Sequence, residues 1–207
     1  MILHGYWRSG TAYRTRIALG LKGLAYDQVT HDLRQAEQRS EAFRALNPQG
    51  LVPALETDDG ILTQSPAILE WLEERYPDPP LLPADAAARA VVRAMAATIA
   101  CDIHPLNNLR VMDAVRVLGG DATAWATRWI ADGFAALEVM IARHGRGLAY
   151  GATPTLADCH LVPQVYSAER FGVDITPYPR LVEAATSARA LPAFTAAHPD
   201  SQPDADR

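Results

Sequence analysis

The order of apolar periodicities predicts two units: a small α/β unit with a mixed sheet, then an all-helical unit. Three observations carry this. Extended and helical patterns alternate up to Tyr76, and beyond it only helical patterns remain. Four prolines crowd the stretch from Pro77 to Pro83, where no helix can continue and no ladder can be fed. Hydrophobic residues make up 49% of the 207 and charged residues 21%, enough apolar material for one large core or two small ones.

Taken in order, Ile2 to Trp7 reads as a strand, Thr11 to Lys22 as a helix and Tyr26 to Thr30 as a second strand. A short helix around Glu41 to Leu46 stops at Asn47-Pro48, because the residue before a proline is pushed out of the helical region. Val52 to Glu56 and Ile61 to Thr63 flank the turn Thr57-Asp58-Asp59-Gly60 as a hairpin. Ser65 to Tyr76 closes the unit as a helix with Ile68, Trp71 and Leu72 on one face. The domain limits that follow are 1–78, a linker at 79–84, and a helical domain at 85–207. Alanine-rich helices are predicted at Ala86 to Val117, Ala122 to Arg143, Thr155 to Phe171 and Pro179 to Ala190. Thr155-Leu156-Ala157-Asp158 has the form of a capping box, and the polar tail after His198 reads as extended.

Lys and Arg total 19 against 24 Asp and Glu, so the global field disfavours nucleic acid and anionic membrane as partners. Only Lys22 is a lysine. The other cations are planar guanidiniums suited to carboxylates, most of them expected on the surface. Cys101 and Cys159 lack ligand spacing, which argues against zinc or a disulfide framework and for two buried thiols. No run approaches the roughly 20 apolar residues of a membrane helix, and the first residues lack a signal-peptide pattern, so a cytoplasmic location is expected.

Three places carry chemistry. Ser9-Gly10-Thr11 lies where a strand gives way to a helix, so backbone amides and two hydroxyls converge on a spot that favours an anion; the same hydroxyls also suit plain capping. Val52-Pro53 opens a strand with a proline, leaving the backbone of Val52 able to pair with an extended ligand. Gln64-Ser65 begins the next helix, a second place fit for a carboxylate or for capping alone.

With these three points on one thioredoxin-like unit joined to a helical domain, the chain resembles the glutathione transferase family over nearly its whole length, and its zeta class most closely. The motifs are Tyr-Trp-Arg-Ser-Gly-Thr-Ala-Tyr-Arg-Thr-Arg-Ile-Ala-Leu at 6–19 and Ala-Leu-Asn-Pro-Gln-Gly-Leu-Val-Pro-Ala-Leu at 45–55. Gln-Ser-Pro-Ala-Ile-Leu-Glu-Trp-Leu at 64–72 and Leu-Val-Pro-Gln-Val at 161–165 complete the set. The resemblance implies a thioredoxin-like N-terminal domain with an all-α C-terminal domain, and glutathione as cofactor. It places Ser9 and Thr11 at the glutathione sulfur, Ser9 as the leading thiolate-stabilising residue and Thr11 as the second, with Gly10 between them in the glutathione-binding set. Val52 falls at the cysteinyl backbone, Gln64 and Ser65 at the γ-glutamyl end and Gln38 at the glycyl end. A thiol with a pKa near 8.5 needs roughly 2 kcal/mol to shift about 1.5 units, within reach of a hydroxyl and a helix N-terminus.

Zeta enzymes that act on maleylacetoacetate typically carry Ser-Ser-Cys in this loop, whereas Gly10 and Thr11 stand here in the second and third places. The loop is similar to that of the branch acting on maleylpyruvate. His104, Asn108 and Arg110, beyond the break at Pro105, are expected to face the cleft near Arg8, with Arg170 arriving from a later helix. His104 and Asn108 would touch glutathione. Arg8, Arg110 and Arg170 would hold a short dicarboxylate by bidentate pairs. The implied activity is a glutathione-dependent cis–trans isomerisation of maleylpyruvate to fumarylpyruvate, without metal. Maleylacetoacetate isomerisation or a broader zeta-class transferase activity is the alternative, and a non-catalytic scaffold the third. The family also implies a homodimer.

Overall fold

The computed structural model describes residues 1–206. Packing divides the chain into one unit of Met1–Pro80 together with the segment from Leu191, and a second unit, Leu81–Ala190.

In the first unit β1 (Ile2–Gly5), α1 (Gly10–Leu21) and β2 (Asp27–Thr30) form the expected strand–helix–strand. Two single-turn 3-10 helices, Leu33–Gln35 and Glu37–Arg39, lead into α2 (Glu41–Leu46). The hairpin β3 (Ala54–Thr57) and β4 (Gly60–Thr63) precedes α3 (Ser65–Arg75). The sheet order is β2-β1-β3-β4. β1 pairs parallel with β2 and antiparallel with β3, Leu3 facing Leu55, and β3 pairs antiparallel with β4. Leu3 and Leu55 are fully buried with Ile17, Leu19, Ile68 and Leu72; α1 packs against α3 and is buried on every side from Ala12 to Leu19.

The last residues contribute α9 (Pro192–Ala197) and a 3-10 turn, Pro199–Ser201. The composition reading carries the helical domain to residue 207 and leaves the tail extended; instead α9 packs on α1. The reason lies in backbone acceptors. The Arg16 guanidinium donates to the Ala197 carbonyl at 3.0 Å and to that of Trp7 at 2.9 Å. The Asp204 carboxylate accepts from the Trp7 amide at 3.0 Å and from Gln28 at 3.1 Å. Arg14 and Arg16 are each only 1% exposed, so these two are core residues, apart from the surface placement expected of most arginines. Lys22 caps the end of α1, its side chain fully buried, and its ammonium donates to Glu73 and to the Pro79 carbonyl, both at 2.7 Å.

The second unit is helical: α4 (Ala86–Ala97), a π-helical stretch Thr98–Ile103, α5 (Leu109–Val117), α6 (Ala122–His144), α7 (Leu156–Arg170) and α8 (Pro179–Arg189). α4 packs against α7, α7 against α8, and α6 against α5 and α8, around Val92, Ile130, Phe134, Val162 and Leu181. The helical stretch from Ala86 to Val117 is interrupted at Pro105 as expected, with a π-helical widening over Thr98–Ile103 that the sequence pattern does not announce. A side chain at Gly133 would stand 2.3 Å from Ile103, so α6 receives Ile103 in a notch that fixes where the chain turns away. Cys101, on that stretch, is exposed, which corrects the expectation of two buried thiols; Cys159 is buried, and both are free. The capping box at α7 forms as expected: Thr155 N–H donates to Asp158 at 2.8 Å while its hydroxyl accepts from Ala157 N–H at 3.3 Å. Among the described residues no helix is long and apolar enough to cross a membrane.

Candidate active site

The chemistry-bearing residues of the first unit gather where loops meet the starts of α1 and α3. Ser9 has extended backbone, its amide donates to the Tyr6 carbonyl at 3.0 Å, and its hydroxyl accepts from Ala12 N–H at 3.3 Å. No acidic residue stands in the first turn of α1, so that turn brings no carboxylate of its own to the positive end of the helix. Thr11 Oγ1 lies 3.0 Å from Ser9 Oγ and 3.0 Å from the carbonyl oxygen of Val52. The Ser9 loop and the Val52 loop are therefore tied by one side chain.

The Val52 loop is shaped by Asn47, whose amide donates to Leu51 O at 2.6 Å and whose side-chain oxygen accepts from Gln49 N–H at 3.1 Å. Gly50 has a φ of 63°, and a Cβ there would stand 3.0 Å from the Gln38 carbonyl, so conformation and close approach both require glycine. That approach sets Gln38 beside the loop. Gln38 is buried, and its side-chain oxygen has no hydrogen-bond partner among the described residues. The Val52-Pro53 peptide bond is cis.

At α3, Gln64 holds a left-handed φ of 66°, and its amide donates to Gln49 Oε1 at 2.6 Å. No side chain caps this helix. The Ser65 hydroxyl is buried and accepts from the Arg14 guanidinium at 3.1 Å, which leaves its own proton to donate elsewhere. Arg8 stacks its guanidinium over the Trp7 ring, 5.1 Å from the centroid.

The remaining expected residues belong to the helical unit. His104 ends the π-helical stretch and is half-buried. Asn108 caps α5, its oxygen accepting from Arg110 N–H at 3.2 Å, so that atom is spent on folding and only its NH2 remains to donate. Arg110 is exposed in the first turn of α5. Arg170, the last residue of α7, stacks over Tyr166 at 5.9 Å. Among the described residues no group of three or more His, Cys, Asp or Glu could hold a metal ion. Arg14, Asn47 and Gln49 escaped the sequence reading, although Asn47-Pro48-Gln49-Gly50 lies inside a motif it used. An Asn-Pro turn two residues before a glycine was the available signal.

Residues 3–80 match the family model of the glutathione S-transferase N-terminal domain. The chain is 52% identical to a maleylpyruvate isomerase of Ralstonia, over 99% of both chains, and 49% identical to a maleylacetoacetate isomerase of Pseudomonas aeruginosa, over 99% of this chain and 98% of that one. This chain belongs to the glutathione S-transferase family. Among solved structures it is similar to a holo maleylpyruvate isomerase described as a bacterial zeta-class glutathione S-transferase, with a TM-score of 0.97, 51% identity and full coverage of both chains. It is also similar to the maleylacetoacetate isomerase of Anaeromyxobacter dehalogenans holding dicarboxyethyl glutathione and citrate in the active site. There the TM-score is 0.90 and the identity 46%, over 99% of this chain and 97% of that one.

Proposed function

We propose that this protein is a glutathione-dependent cis–trans isomerase that converts maleylpyruvate to fumarylpyruvate. The observation that carries it is the start of α1, a hydroxyl-capped helix end without its own carboxylate, linked through Thr11 to the Val52 carbonyl. The residues fit glutathione. The uncapped end of α3 with Ser65 suits the γ-glutamyl carboxylate, the Val52 backbone suits the cysteinyl unit, and the unpartnered Gln38 side-chain oxygen suits the N–H of the glycyl end.

Bound glutathione supplies a thiolate that adds reversibly to the cis double bond and so allows it to rotate. Ser9 donates its hydroxyl hydrogen bond to that thiolate, and the α1 N-terminus adds a fixed positive potential. Gln64 and Ser65 orient the γ-glutamyl group, and His104 with the Asn108 amide hydrogens extends the binding surface. Arg8, Arg110 and Arg170 hold the two carboxylates and the charge that develops between them. Fixed cations are most effective at the transition state, where the charge appears. The working form is a cytoplasmic homodimer.

The test is glutathione-dependent loss of maleylpyruvate absorbance with the purified protein, beside maleylacetoacetate and a chloro-dinitrobenzene conjugation assay. A strong preference for maleylpyruvate is expected. Preference for maleylacetoacetate, the substrate named for the 49% identical relative, would keep the thiolate chemistry and overturn the assignment of Arg110. Inactivity on all three would overturn the reading as a whole.

A further inference from the structure

The hydroxyl network at the start of α1 has a direction. The Val52 carbonyl can only accept, so the single proton of Thr11 Oγ1 goes to it across 3.0 Å. The 3.0 Å contact between Thr11 and Ser9 then requires Ser9 to be the donor. Ser9 Oγ in turn accepts from Ala12 N–H. The protons run one way, from the Ala12 amide to Ser9, from Ser9 to Thr11 and from Thr11 to Val52. The Ser9 proton, needed at the sulfur, is thus aimed at Thr11.

Resting on the reading above, we propose that Thr11 is a positioning residue that competes with the thiolate for the Ser9 proton and tethers the Val52 carbonyl, without touching the sulfur. When the thiolate arrives, Ser9 rotates its hydroxyl from Thr11 to sulfur, trading a neutral hydrogen bond for a charge-assisted one. Thr11 keeps its bond to Val52, whose second lone pair stays open to the cysteinyl amide hydrogen. Removing the Thr11 hydroxyl therefore has two opposite consequences. Ser9 loses its competing acceptor, so the thiolate is held better, while the Val52 loop loses its tether, so glutathione as a whole is held worse.

The experiment measures the pKa of enzyme-bound glutathione from thiolate ultraviolet absorbance, and glutathione affinity by calorimetry. The proteins are wild type, Thr11→Val, Thr11→Ser, Thr11→Ala, Ser9→Ala and the double variant Ser9→Ala with Thr11→Val. Thr11→Val is expected to lower the bound thiol pKa by about half a unit to one unit and weaken glutathione binding by about three- to tenfold. Thr11→Ser, which keeps the hydroxyl, should stay within about twofold of wild type, and serves with Thr11→Ala as a check should valine disturb folding. In the Ser9→Ala background, Thr11→Val should leave the thiol pKa unmoved. A raised thiol pKa in Thr11→Val would overturn the proposal, because Thr11 would then itself hold the sulfur. Unchanged pKa and affinity would overturn it too. If instead Ser9→Ala leaves the bound thiol pKa at the wild-type value, the role given to Ser9 above is what fails; if the wild type binds no glutathione, the functional reading fails.

Discussion

Helix α1 and helix α7 both begin on a hydroxyl, Ser9 in one and Thr155 in the other, and the third residue after the hydroxyl sends them apart. In α7 that residue is Asp158, fully buried, whose carboxylate accepts from Ala149 N–H, Thr155 N–H and the Thr155 hydroxyl at 2.8–2.9 Å. In α1 it is Ala12, equally buried, packed over β1 so closely that a Cβ on Gly5 would lie 3.2 Å from its own. A carboxylate cannot be accommodated there without displacing the strand. The chain thus closes one helix end with a carboxylate in the first turn and leaves the first turn of the other without one, which is what the proposed seat of the thiolate requires.

Converting the closed end to the open pattern is the harshest test of this contrast. Asp158→Ala strands three donors in a dry site and should cost about 3–5 kcal/mol, read by urea unfolding at neutral pH. A loss under about 1 kcal/mol would mean that the box is ornamental, since even a solvent-exposed cap reaches that value. The same carboxylate makes the contrast pH-dependent. Burial pushes the Asp158 carboxyl up to about 6, the three donors holding it from rising further. Its folded pKa lies above its unfolded one, so the part of the stability linked to its proton is complete below about pH 4 and lost as pH rises through about 6, a change of up to about 3 kcal/mol. What Asp158→Ala removes at neutral pH is the set of hydrogen bonds that the ionised carboxylate keeps. Asp158→Asn should remove that slope from the pH dependence of unfolding, and a slope that persists would have to come from other groups.

Next in size is the division of labour between the open helix end and the guanidiniums. Arg110→Ala should lower kcat/KM by about a hundredfold, roughly 2.7 kcal/mol, while glutathione affinity changes by less than about twofold. Equal losses in both would place Arg110 at glutathione rather than at the dicarboxylate. The smallest effect belongs to the open cap as a folding element. Ser9→Ala removes one acceptor for Ala12 N–H and should cost about 1 kcal/mol of stability. Catalysis should suffer out of proportion to this, and thermal melting run beside the absorbance assay separates the two.

What the sequence disclosed follows the range of the interactions involved. Strand and helix order in the first unit, the proline stretch and the α7 capping box are local patterns, and each is found near its expected place. The interruption between Ile103 and Leu109 has a local cause in Pro105, but the π-helical widening over Thr98–Ile103 does not: alanine-rich sequence favours a regular helix there, and Ile103 is seated against Gly133 of another helix. The return of the chain to the first unit is equally hidden, because the Arg16 to Ala197 hydrogen bond joins residues 181 apart. At the candidate site, Ser9, Val52 and Ser65 were visible as residue types at element junctions. Arg14, which supports Ser65 from 51 residues away, and the direction of protons through Thr11 depend on contacts between distant segments that no local pattern announces.

The burial of Lys22 has a practical use. It is the only lysine in the chain, and its ammonium is enclosed between Glu73 and the Pro79 carbonyl. A lysine-specific protease has one peptide bond to cut, Lys22–Gly23, and reaches it only when α1 comes away from α3. Each opening of the first unit is thus recorded as a single cleavage into residues 1–22 and 23–207, and short pulses of such a protease count unfolded molecules directly on a gel. Glutathione should slow the appearance of the two fragments in proportion to its occupancy, giving a binding measurement that needs neither substrate nor turnover.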